Sequence, residues 1–157
     1  MAMSNDLLKL GNQLCFPVYA ASRLITRQYQ PYLDQLGITY PQYLVLMVLW
    51  ESDAVTVNDI AEKLILNTNT LTPLLKRMEV MGLLERRRSE SDERKVVVSL
   101  TEKGIGLREK ARVVPESLLQ GLQQSPLSLE QLLELKSNLD VLIDFLRQKG
   151  KDGGLTE

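Results

Sequence analysis

Reactive side chains are scarce in this chain of 157 residues, which holds one cysteine, Cys15, five tyrosines and no histidine. A thiol becomes a nucleophile or redox centre as its thiolate, which needs a cation or a hydrogen-bond donor beside it. Lys9 and Arg23 are the nearest cations in sequence, and Tyr19 lies one helical turn from Cys15. From its type alone, a lone Cys on an inner helix face reads as a small buried hydrophobe, and the residues leave that reading open. The absence of His excludes Ser-His-Asp and Cys-His nucleophiles, and with one Cys it excludes a zinc site of the finger type. No metal or other cofactor is expected. An intramolecular disulfide is impossible, so a reducing, cytoplasmic compartment is expected.

A second group is basic and hydroxylated. Residues 76–88 hold Lys76, Arg77, Arg86, Arg87 and Arg88 against Glu79 and Glu85, a local charge of +3 in a chain whose net charge is −1. DNA binding neutralises phosphates locally, so this patch is informative where the net charge is not. Taken singly, each of these charges is explained equally by a solvated surface. Only the elements that carry them decide.

Those elements are mostly helices. From Leu7 to Tyr29 apolar residues recur at three-and-four spacing, which predicts a long amphipathic helix with a kink or a late start at Pro17. Pro31 and Gly37 bracket a short helix, and Thr39-Tyr40-Pro41 reads as a cap with Pro in the first turn of a helix reaching Trp50. Thr56 caps a helix Val57 to Leu66. Asn67 ends it or caps the next, Thr68 to Met81, which Gly82 stops. That second helix packs Leu71, Leu74, Leu75 and Met78 and turns Thr68, Thr70, Thr72, Lys76 and Arg77 elsewhere, with Pro73 expected in about its first turn. Two short helices joined tightly, the second polar outside, form the helix-turn-helix pattern.

After Gly82 the pattern alternates. Leu83 to Arg88 and Arg94 to Leu100 read as strands of a hairpin with the charged tip Ser89 to Glu93. Helix-turn-helix followed by such a hairpin is the winged-helix order. Thr101 opens a helix towards Gly121 that Pro115 should bend or interrupt, and Ser128 to Lys149 is a leucine-rich helix with more apolar positions than a lone surface helix needs. The tail 150–157 is expected to be disordered. No internal repeat and no export signal is visible, and the longest apolar run, Leu44 to Trp50, is far short of the roughly 20 residues that span a bilayer.

Four segments in this order resemble the MarR family of bacterial transcription regulators over residues 5 to 148, and within it the OhrR branch of organic-hydroperoxide sensors of the one-Cys type. They are Asn12 to Phe16 around Cys15, Leu36 to Leu44 with Tyr40-Pro41-Gln42-Tyr43, Asn69 to Glu79, and Asp92-Glu93-Arg94. The resemblance implies a mainly α fold with a small β-wing in one chain, 1–157. The winged helix-turn-helix spans 53–100, and helical dimerisation regions span 5–52 and 101–149. It implies a homodimeric repressor on inverted-repeat double-stranded DNA. Thr68, Thr70, Thr72, Lys76 and Arg77 would meet bases or phosphates, Arg86 the backbone and Arg94 the minor groove, with Asp92 orienting Arg94 through a charge-assisted contact. Cys15 is then the peroxide-reactive thiol, supported by Tyr29 and Tyr40 from opposite subunits, with Tyr19 as a helper. An organic hydroperoxide is the signal, and because the second Cys of many relatives is missing here, inactivation depends on a mixed disulfide with a small cellular thiol or on overoxidation of Cys15.

Two other functions compete. One is a MarR-type regulator released by a small apolar or phenolic ligand, with Cys15 inert. The other is a thiol peroxidase, which the missing βαβ pattern disfavours; the chain is not expected to be an enzyme.

Overall fold

The structure, a computed structural model, describes residues 8–152. A 3-10 turn at Leu10–Asn12 precedes α1 (Cys15–Leu36). The late start is the one Pro17 permits: as the third helical residue, it loses no intrahelical bond there. Contrary to expectation, no separate helix lies between Pro31 and Gly37, because α1 runs through Pro31. The lost donor to the Arg27 carbonyl is outweighed by fully buried Leu33 and by the Gln30 Nε2 to Asp34 Oδ1 bond at 2.6 Å. Gly37, at φ +68°, closes the helix: its N–H donates to the Asp34 carbonyl and that of Ile38 to Leu33.

Helix α2 (Tyr40–Glu51) starts at Thr39 with Pro41 in the first turn. A two-residue strand, β1 (Val55–Thr56), then leads into α3 (Val57–Leu64). Thr56 Oγ1 accepts from the Asp59 N–H at 3.1 Å while Asp59 Oδ2 accepts from the Thr56 N–H at 2.9 Å. The Thr56 hydroxyl also donates to Asp59 Oδ2 at 2.6 Å, and this bond, then the one from the Thr56 N–H, holds the Asp59 carboxyl below its ordinary range. The following turn is strained, since the β-branched Ile65 adopts φ +55°. Asn67 Oδ1 accepts from the Asn69 N–H at 2.9 Å and caps α4 (Thr68–Val80). Pro73 sits in the second turn of α4 rather than the first, so the Asn69 carbonyl loses its main-chain donor, and the buried Leu71, Leu74, Leu75 and Met78 keep the helix together.

Strands β2 (Leu84–Arg88) and β3 (Val96–Leu100) form the wing, and β1 adds a third strand that the sequence did not announce, in the antiparallel order β1-β3-β2. The register sets Arg86 opposite Val98 and Val55 opposite Val98 from the other side. β3 begins at Val96, two residues later than expected, because the Lys95 N–H turns back to the Asp92 carbonyl at 2.9 Å. The helix expected from Thr101 to Gly121 is two helices, α5 (Glu102–Ala111) and α6 (Val113–Leu122). Pro115 supplies no donor to Ala111 and its ring crowds that carbonyl, so the break falls at Arg112.

The chain divides into two compact units, one ending at Pro115 and one starting at Glu116. The first holds the winged helix on a core of Leu33, Leu46, Leu49, Ile60, Leu75 and Val98. The second contains the rest of α6 and α7 (Leu129–Asp152), whose Leu133, Val141, Ile143, Phe145 and Leu146 are exposed. Because α7 reaches Asp152, residues 150–152 of the expected disordered tail are helical; 153–157, and residues 5–7 of the expected dimerisation region, lie outside the described residues. Among the described residues no helix is long and apolar enough to cross a membrane.

Candidate functional site

The N-terminal turns of α3 and α4 face the base of the wing across a depression of about 230 Å3. It is lined by Thr56, Val57, Asn58, Thr68, Thr72, Arg86, Arg94, Lys95 and Val96. Four of the expected DNA-contacting residues, Thr68, Thr72, Arg86 and Arg94, thus converge. Thr70 is exposed on the same helix, and exposed Lys76 and Arg77 lie further along it. Asn58 and Lys95 join the groove without having been singled out. Their signal was positional: one follows the Thr56 cap and the other the Asp92-Glu93-Arg94 tip.

Arg86 makes an ion pair that was not expected, and Asp92 reaches Arg94 otherwise than expected. The Arg86 guanidinium donates to Glu79 Oε2 through Nε (3.1 Å) and Nη2 (2.7 Å), and its backbone N–H donates to Oε1 at 3.1 Å. This half-buried pair ties α4 to β2, and the Arg86 hydrogen bonds hold the Glu79 carboxyl below its ordinary range. Asp92 Oδ1 accepts from the Arg94 backbone N–H at 3.1 Å, so it shapes the tip through the main chain instead of pairing with the guanidinium. An Asp side chain is of the length to reach the main-chain N–H two residues on.

The second set of residues clusters around α1 and α2. The Tyr29 and Tyr40 rings lie 5.0 Å apart, and Tyr43, not anticipated, stands 6.0 Å from Tyr29 and 6.5 Å from Tyr40. Trp50 extends the group with an edge contact to Tyr43 at 6.2 Å. Burial, then the neighbouring Tyr40 and Tyr43, push the Tyr29 phenol up to about 12, and burial raises Tyr40 and Tyr43 as well. All three therefore remain protonated donors at neutral pH. Cys15 is exposed at the start of α1 and is not brought to them. It lies fourteen residues before Tyr29 on one helix, about 21 Å at 1.5 Å per residue. Tyr19 is exposed and lies under the Arg23 guanidinium, 5.6 Å from its ring centre. Within one chain the thiol and the tyrosine corner stand apart. No metal-ligating cluster occurs among the described residues.

The chain is similar to known proteins along most of its length. Residues 27–110 match the family described as transcriptional regulator SarA/Rot. The organic hydroperoxide resistance transcriptional regulator of Bacillus subtilis (strain 168) is 54% identical over 144 residues, covering 92% of this chain and 96% of that protein. AbfR of Staphylococcus epidermidis has been solved bound to DNA in its reduced form (TM-score 0.74) and its overoxidised form (TM-score 0.72). Each is 39% identical and covers 93% of this chain and 98% of AbfR. MarR of E. coli superposes with a TM-score of 0.67 at 25% identity, covering 83% of this chain and 96% of MarR. With a winged helix of this order and such a relative over nearly its whole length, the chain belongs to the MarR family of winged-helix transcriptional regulators, in its organic-hydroperoxide-resistance branch.

Proposed function

We propose that the protein is a cytoplasmic homodimeric repressor, without catalytic turnover, that binds inverted-repeat DNA and releases it when Cys15 is oxidised by an organic hydroperoxide. The observation that carries this reading is the separation of the half-sites. A thiol about 21 Å from its own tyrosine corner meets such a corner only in a second copy, which makes the dimer itself the sensor. Tyr29 and Tyr40 of one subunit then donate hydrogen bonds to the Cys15 thiolate of the other, supporting its charge without adding any, and Tyr19 flanks it. On the DNA side, Thr68, Thr70, Thr72, Lys76 and Arg77 face bases and phosphates of the major groove. Arg94 enters the minor groove from a tip shaped by Asp92, and Arg86, held by Glu79, borders the backbone.

The chemistry balances as follows. The thiolate sulfur attacks the distal oxygen of the hydroperoxide, the O–O bond breaks, and the alkoxide takes a proton and leaves as the alcohol. Sulfur is oxidised by two electrons to the sulfenic acid. With no second Cys in the chain, a small cellular thiol condenses with the sulfenic acid, forming a mixed disulfide and releasing water. Overoxidised AbfR is found on DNA, so the bulkier thiol adduct is the releasing form in this reading.

The test is fluorescence anisotropy of the reduced protein on its own promoter DNA, before and after cumene hydroperoxide plus free cysteine. Wild type should dissociate and Cys15→Ser should stay bound. Equal release of both would instead support a regulator governed by an apolar ligand.

A further inference from the structure

Gln42 is the buried polar side chain of the core among the described residues, and both ends of its amide are used. Its Oε1 accepts the Thr39 N–H at 2.8 Å and closes the first turn of α2. A Glu would close that turn equally, so the cap does not call for the amide nitrogen. That nitrogen donates instead to Met81 Sδ at 3.4 Å, across a sequence separation of 39. Met81 is the C-terminal cap of α4.

The same end of α4 is gripped a second time. The Met81 carbonyl accepts from Lys103 Nζ (2.7 Å), the Gly82 carbonyl from Thr101 Oγ1 (2.6 Å) and the Leu83 carbonyl from the Thr101 N–H (3.2 Å). The start of α5 that provides these donors is itself held by Trp50, whose Nε1 donates to the Gly104 carbonyl at 3.0 Å. Helix α2 therefore holds the end of α4 directly at its first turn and through α5 at its last. It also carries Tyr40 and Tyr43 of the tyrosine corner, with Tyr43 in ring contact with Trp50. An apolar depression of about 400 Å3, bounded by Lys76, Arg77 and Val80, lies beside Gln42 and Met81 and leaves the thioether room to swing.

We propose that the Gln42–Met81 bond is the joint that passes a displacement of the Tyr40 turn to α4, making Gln42 a positioning residue of the release switch. The inference rests on the thiol-switch reading above. Tyr40 lies two residues before Gln42 in one hydrogen-bonded turn, so an adduct that pushes Tyr40 also moves Gln42, and the bond draws the α4 cap with it.

The test uses full-length wild type, Met81→Leu, Met81→Gln and Trp50→Phe. Each is titrated onto the same promoter DNA, reduced or after cumene hydroperoxide plus free cysteine. Met81→Leu keeps the volume and removes the acceptor, Met81→Gln restores an acceptor oxygen, and Trp50→Phe removes the second grip. Reduced Met81→Leu should bind within about twofold of wild type while its ratio of oxidised to reduced Kd falls about fivefold. Met81→Gln should recover the wild-type ratio, and Trp50→Phe should lower it. These are effects on coupling that a merely structural role would not separate from affinity. An unchanged ratio in Met81→Leu, beside a wild type that releases, overturns the joint alone. A wild type that stays bound once its adduct has formed overturns the thiol-switch reading and the joint together.

Discussion

Tyr29 has its phenol held above the ordinary 10.0, at about 12, by burial and by the neighbouring Tyr40 and Tyr43. A raised folded-state value gives a stability contribution complete below pH 10 and lost as pH rises through 12, because the unfolded chain releases this proton first. Tyr29→Phe removes that linkage. Urea midpoints measured between pH 9 and about 12 should fall less steeply for the variant than for wild type; parallel curves would contradict the assignment. Single residues were unevenly legible in the sequence. Cys15, Tyr29 and Tyr40 stood out by type and by the resemblance. Tyr43 was passed over although the Tyr40-Pro41-Gln42-Tyr43 spacing sets it one turn on. The Glu79–Arg86 pair was illegible because it joins a helix to a strand through long side chains, a geometry that only the tertiary fold supplies.

Elements were legible where their ends are local. Thr39, Thr56, Asn67 and Gly82 marked the helix boundaries near α2, α3 and α4 because capping is settled within about four residues. Strand β1 was missed since two residues carry no periodicity and owe their form to pairing with β3. The passage of α1 through Pro31 was missed for a similar reason: Leu33 burial, a nonlocal term, outweighs one lost bond. A tight crossing at Gly104 shows how nonlocal contacts fix an element. A Cβ built there meets the Leu83 carbonyl oxygen at 2.1 Å, so α5 reaches the end of α4 only with glycine at this position. Gly104→Ala is expected to destabilise the protein by about 1–3 kcal/mol in urea unfolding and to weaken DNA binding. An unchanged midpoint would show that α5 shifts freely.

The whole molecule, taken as one chain, leaves large apolar side chains uncovered: Leu14 just before α1, Phe16, Val18 and Leu24 on α1, and Leu133, Val141, Phe145 and Leu146 on α7. Surfaces of this kind are covered by association, and in the function proposed above the split between Cys15 and the tyrosines gives that association its role. The sequence signalled the leucine-rich last helix, and the long helix expected from Leu7 to Tyr29 already set Cys15 and Tyr29 several turns apart, as the continuous α1 does. Mixed dimers test the consequence. One subunit carries Cys15→Ser and the other Tyr29→Phe with Tyr40→Phe. The mixed dimer should respond to peroxide at about half the wild-type amplitude, while both parent homodimers fail or slow about tenfold or more. A mixed dimer as unresponsive as its parents would place thiol and tyrosines in one chain. The central claim, that modification of Cys15 itself removes the protein from DNA, is tested most directly by intact-mass spectrometry. Promoter-bound and free fractions are separated after less than one equivalent of cumene hydroperoxide with free cysteine. The account predicts the cysteine adduct on Cys15 in the free fraction and unmodified protein on the DNA. An adduct shared evenly between the fractions, or release of unmodified protein, would contradict it.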